Sequence, residues 1–234
     1  MKTICFALNF LLFLSPVINA QSVSVTTNSK GQVITNISSK NMNRRGGISY
    51  TNYTILGSPF LGDTPWHLGT ITIDNDTAVS AVLSYDLTNN TLYTIDSVSQ
   101  QQIEIHPTAF SFEGAEFIRF QTHLLGFKDS EYGNLIYDGT TKLLVKLHKF
   151  IKRPNNFHFS GFNEDGVYWQ NNEYYIQKKE GDFERLNLNN RAILTTLADR
   201  KNEVMEFIKS KAVNLQNEKD LIAVLQFYDG LTGE

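Results

Sequence analysis

The stretch Val79, Ala81, Leu83, Tyr85, Leu87, with Ser80, Ser84 and Asp86 between, constrains this chain most, because apolar residues fall at every second position over nine residues. A period of two puts one side of the chain in a core and the other in water, which is the pattern of a half-buried β-strand. Thr70-Ile71-Thr72-Ile73 alternates in the same way just upstream, with Asp74-Asn75-Asp76 as the turn between them. Downstream, Asn89-Asn90 tolerates positive φ and fits a two-residue primed turn into Thr91–Ile95. That register places Leu87 opposite Leu92 and Asp86 opposite Tyr93. The segment therefore predicts an antiparallel meander.

Further strands are predicted at Gln102–Ile105, Thr108–Phe112, Phe117–Gln121 and Lys142–Lys152. The last sets Leu143, Val145, Leu147 and Ile151 on one side and Lys142, Lys146, His148 and Lys152 on the other. That basic stripe has two readings: a contact for an anionic glycan or lipid head group, or a solvated sheet face whose lysines oppose edge-to-edge aggregation. Val167–Gln177 reads as a second hairpin around Asn171-Asn172, pairing Trp169 with Tyr174 and Tyr168 with Tyr175. Its polar face then carries Tyr168 and Tyr175, either as a platform for a sugar or peptide or as a cross-strand pair holding the hairpin.

After Arg185 the period changes. Ile193, Leu194 and Leu197, then Val204, Met205, Phe207 and Ile208, then Leu221, Ile222, Val224, Leu225 and Tyr228 form three helical stripes. Asn217 is placed to cap the last helix, and Gly230 to stop it. The expected fold class is α+β, an antiparallel β meander sheet followed by a small C-terminal helical tail at 186–234, packed on or beside the sheet domain at 48–185. Residues 21–47 read as an edge-strand pair or a loose tether, with short alternations at Val23-Ser24-Val25 and Val33-Ile34-Thr35. Asn43-Arg44-Arg45-Gly46-Gly47 reads as an exposed break open to proteolytic nicking.

Residues 1–20 have the form of an export signal: Lys2, an apolar run from Ile4 to Val17, and a small residue, Ala20, before Gln21 as the expected cleavage point. The run is too short for a spanning helix and is broken by Ser15-Pro16. Cys5 is the one cysteine of the chain. The cleaved protein would thus lack disulfides, thiol catalysis and an acceptor for a lipid anchor. About 214 residues would remain, enough for a core without disulfides.

Chemistry-bearing motifs are sparse. Nucleophile-elbow, zincin, dinucleotide and phosphate-loop patterns are missing, and His67, His106, His123, His148 and His158 have no metal-ligand spacing. No cofactor is expected. Glu104 with Glu113 or Glu116 offers a pair of carboxylates of the kind a glycosidase uses, but any acidic sheet offers such pairs. Phe60–Thr140 holds eleven acidic residues against Arg119 and Lys128, an imbalance that argues against a nucleic-acid partner. Asn36, Asn52, Asn75 and Asn89 head Asn-x-Ser/Thr triplets, acceptors of glycans in a eukaryotic secretory protein.

Gly57-Ser58-Pro59-Phe60, Trp66 with Gly69-Thr70-Ile71, Tyr85-Asp86-Leu87 with Asn90 and Leu92, Tyr137-Asp138-Gly139 with Lys142–Lys146, and Glu218–Ile222 with Phe227-Tyr228 follow in an order that resembles a group of exported Bacteroidota proteins. The resemblance runs from about residue 55 to the end. It implies a periplasmic, outer-envelope or extracellular location and leaves the triplets without glycans, and it carries no assigned activity. Three functions are expected from these features. The first is a non-enzymatic envelope or secreted protein that binds a glycan, a peptidoglycan fragment or a protein partner. The others are a sugar hydrolase with dispersed acidic residues and an accessory protein docking through its helical tail.

Overall fold

Alternating β-branched and aromatic residues form strands through most of the chain. The computed structural model describes residues 21–42, 48–62, 64–73, 77–120, 131–153, 165–179 and 181–232. The strands are β1 (Gln21–Thr27), β2 (Val33–Met42), β3 (Ile48–Leu56), β4 (His67–Ile73), β5 (Thr77–Asp86), β6 (Thr91–Ile95), β7 (Gln102–Ile105), β8 (Ala109–Phe112), β9 (Ala115–Phe120), β10 (Glu131–Asp138), β11 (Thr141–Lys152), β12 (Gly166–Lys178) and β13 (Glu184–Leu186). They form one sheet in the order β1-β2-β3-β12-β11-β10-β9-β8-β4-β5-β6-β7, with β13 paired to β12. Every pairing is antiparallel except that of β12 with β3, which is parallel at Gly166–Ile55 and Val167–Leu56. Of the two readings of residues 21–47, a strand pair or a loose tether, the described part forms strands: β1 lies on β2, and β2 runs along β3 from Ile34–Leu56 to Met42–Ile48.

The sheet curls back on itself between β5 and β11. Leu61 N–H donates to Tyr85 O at 2.9 Å, Leu87 N–H to Pro59 O at 3.0 Å, and Lys149 N–H to Leu87 O at 3.1 Å. These bonds return the end of β5 to β11, so the intervening strands wrap a core of Leu83, Tyr85, Leu87, Leu92, Phe110, Phe112, Phe117 and Tyr132. Tyr85 sits at its centre, meeting Phe110, Phe117 and Tyr132 edge to face at 5.1, 5.3 and 6.2 Å. Such geometry suits aromatic quadrupoles and adds to the burial term.

The tail comprises α1 (Asn190–Thr196), a 3₁₀ turn (Ala198–Arg200), α2 (Lys201–Ser210) and α3 (Glu218–Thr232). Its stripes pack on the sheet: Ile193, Leu197, Val204, Ile208, Leu221, Val224, Leu225 and Tyr228 share a core with Leu143, Ile176 and Leu186. Asn217 caps α3 as expected, its side-chain oxygen accepting from Lys219 N–H at 2.9 Å. Gly230 does not end that helix, which continues to Thr232. The Thr232 hydroxyl donates back to the carbonyls of Tyr228 and Asp229, occupying acceptors that a helix end would otherwise leave open. No helix among the described residues is long and apolar enough to cross a membrane.

Two hairpin readings are corrected. At Asn89-Asn90 the register is Asp86–Thr91 and Tyr85–Leu92, with a four-residue turn. Only Asn90 takes positive φ, at 53°. The cause is Asp86, whose carboxylate accepts from Thr88 N–H at 2.7 Å, Asn89 N–H at 3.3 Å and the Asn89 side-chain amide at 2.9 Å. At Asn171-Asn172 there is no turn. β12 is one strand of 13 residues, with Asn171 opposite His148 and Asn172 opposite Leu147. The long β11 runs alongside this stretch without a break, and its ladder of hydrogen bonds outweighs the turn preference of two asparagines. Asp74–Asp76, Asn43–Gly47 and the export segment 1–20 lie outside the described residues.

The basic stripe on β11 keeps its period of two, but its burial is uneven: Lys152 is exposed, Lys142 and His148 are half-buried and Lys146 is buried. Leu144 shares that face, and with Tyr175 and Phe120 forms a third buried cluster, with Phe183 packed against it. Lys146 is 8% exposed and its Nζ lies 2.6 Å from Glu131 Oε2.

Candidate functional site

The curl that closes β5 onto β11 also brings the two ends of the sheet to face one another across a cleft of about 500 Å³. Val23 and Ile37, direct partners across β1 and β2, form one apolar wall. Tyr93 of β6 and Gln102 of β7 come from the far end of the sheet. The floor is shared by Ile151 of β11 and its cross-strand partner Tyr168 of β12. Pro59 and Phe60 enter from the segment that crosses to β5, where Phe60 bridges Asp86. Lys149 holds that segment, its ammonium donating to Ser58 O at 3.0 Å and Phe60 O at 2.6 Å.

Strand alternation decides which side chains reach the cleft. Leu92 turns into the core and Tyr93 away from it, on the face of its partner Ser84. Asp86 closes β5 and is the one charged side chain among the described lining residues. Its three bonds from the following turn fix its position and leave room at the carboxylate for about one more donor. Burial first, and then the Asp86 charge, push the hydroxyls of Tyr93 and Tyr168 above the ordinary tyrosine range, with Glu104 adding to the effect at Tyr93. Both phenols therefore remain neutral donors. Thr88 contributes a buried hydroxyl with no partner among the described residues. Together the lining supplies aromatic faces, one fixed carboxylate, two amide side chains and hydroxyl groups. Comparison with protein-family models, curated proteins and solved structures returns no match.

The residues singled out in the sequence scatter. Tyr168 lines the cleft. Tyr175 lies seven positions along the same strand, hence on the opposite face, where it is fully buried and donates to Glu173 Oε2 at 3.1 Å. The two-tyrosine platform does not exist. Lys146 is buried against Glu131, and Lys142 pairs with Asp138 beside the β10–β11 turn. Ala20 lies outside the described residues, and Gln21 begins β1 opposite Ser39.

The described histidines do not gather either, and His123 and His158 lie outside the described residues. His67, its side chain 9% exposed, stacks on Phe112 at 5.1 Å and meets Glu113 Oε1 through Nδ1 at 2.8 Å. His106 lies 3.4 Å from Glu104 on the surface. Glu104 and Glu113 are thus engaged with different histidines. Among the described residues no three His, Cys, Asp or Glu converge as a metal site would require.

In the sequence, Asp86 and Tyr93 stand out only as a hairpin pair, and Phe60 and Asp86 only within the resemblance; none is singled out there as a site residue. Alternation does place Tyr93 off the core face, and Asp86 precedes turn residues. What makes them a site is the meeting of β1 and β2 with β6 and β7, which are distant in sequence.

Proposed function

We propose that this chain is an exported envelope or secreted protein, of the kind it resembles in the Bacteroidota, that binds a glycan in this cleft without chemistry. The observation that carries the reading is the convergence of Tyr93, Tyr168 and Phe60 with Asp86, Asn89 and Gln102 around one cavity. Sugars offer apolar ring faces that pack on aromatic side chains and hydroxyls that match fixed carboxylate and amide groups. A sugar hydrolase needs two carboxyl groups across the scissile bond, whereas the described lining brings one. That favours binding over hydrolysis. The helical tail has most of its stripes committed to the sheet, which favours the cleft over the tail as the binding surface.

Calorimetric titration with soluble oligosaccharides, including peptidoglycan fragments, tests this. Tyr168→Ala is expected to weaken binding about tenfold through loss of an aromatic face. Tyr50→Ala, at an exposed position on β3 outside the cleft, is expected to leave binding unchanged. Equal loss in both variants, or no binding by the unmodified protein, would overturn the reading.

A further inference from the structure

Resting on the glycan reading, we infer that the cleft selects a saccharide carrying a free amine, an amino sugar in its cationic form, over its neutral N-acylated counterpart. Three observations on the lining support it. First, Asp86 is the one charged side chain among the described lining residues. Second, Asp86 on β5 lines the same cavity as Tyr93 on β6 and Tyr168 on β12, strands that lie far apart in the sheet order. Third, its three hydrogen bonds all come from the turn that follows it, and none of these three donors is a cation.

The chemistry follows from this placement. An ammonium bound in this cavity meets an aromatic face and one open position of a fixed carboxylate. A neutral acylated amine offers one N–H and a carbonyl oxygen, and that oxygen is repelled by the carboxylate. An anionic sugar is rejected by the same charge. The Lys149 ammonium donates to the Ser58 and Phe60 carbonyls.

The experiment compares two probes on the full protein, a tetramer of glucosamine and a tetramer of N-acetylglucosamine, by calorimetry at about pH 6, where a sugar amine is protonated. The amine form is expected to bind about tenfold more tightly, the increment of one charge-assisted hydrogen bond. Raising the salt from about 0.02 to 0.5 M is expected to shrink that ratio in the unmodified protein. Asp86→Asn is expected to bring the ratio to about one. Should Asp86→Asn fold poorly, the salt dependence still decides. Equal affinity for the two probes, or a ratio unmoved by salt, overturns the amine preference while the glycan reading stands. Binding of neither tetramer, together with binding of a different, uncharged glycan, also overturns the preference alone. Absence of binding to any saccharide overturns both.

Discussion

Truncating Lys146 to alanine is expected to destabilise the protein by about 3–5 kcal/mol, the cost of removing one partner of a buried ion pair. The Lys146 and Glu131 side chains are 10% and 14% exposed and their charged atoms lie 2.6 Å apart. Alanine at 146 leaves the Glu131 carboxylate in a setting built from Leu144, Phe120 and Tyr175, where a lone charge is poorly solvated. The double replacement Lys146→Met with Glu131→Leu is expected to recover most of the loss, because apolar side chains of similar volume need no compensation. Urea unfolding of the two variants measures both effects. A loss below about 1 kcal/mol for Lys146→Ala would show that the pair behaves as an exposed one.

Asp229→Ala is expected to cost about 3 kcal/mol, because one side chain serves several donors at once. Its carboxylate accepts from the Tyr137 hydroxyl at 2.8 Å, the Thr141 hydroxyl at 2.6 Å and the Thr141 N–H at 3.0 Å. It thereby fastens α3 to the turn between β10 and β11, and Thr141 is almost wholly buried there. Burial, together with the bond to Asp229, pushes the Tyr137 hydroxyl up to about 12. Gly139 completes the lock, since a Cβ there would strike both Tyr137 Oη and Asp229 Oδ2. Gly139→Ala should lower stability through the same contacts. The two losses should therefore add to less than their sum. Additive losses in a denaturation series would contradict a shared lock.

Much of the sheet was legible because its strands are amphipathic. Gln102–Ile105 forms β7 as read, and Lys142–Lys152 differs from β11 by one residue. Alternation reports a one-sided core directly. It fails where both faces are covered. On β11, Leu143 packs under the helices while Leu144 and Lys146 sit beneath Phe120 and Tyr175, so a lysine that reads as solvated lies in a core. The Asn171-Asn172 error has a different cause. Turn chemistry is local, whereas the β11 partner that keeps those residues extended is set by pairing over the whole length of β12. The candidate site was the least legible part. Tyr168 was visible, but its neighbours in the cleft come from β1, β2, β5, β6 and β7, brought together by three backbone bonds around Pro59, Leu87 and Lys149.

The central claim is that this cleft, rather than the exposed face bearing Phe150 and Trp169 or the helical tail, receives a glycan. Amide-resolved NMR titration of the uniformly labelled protein with a bound oligosaccharide tests it most directly. Shifts are expected to concentrate at Thr88, Asn89, Tyr93, Gln102 and Tyr168. Shifts confined to Trp169 and Phe150, or to α2 and α3, would contradict it.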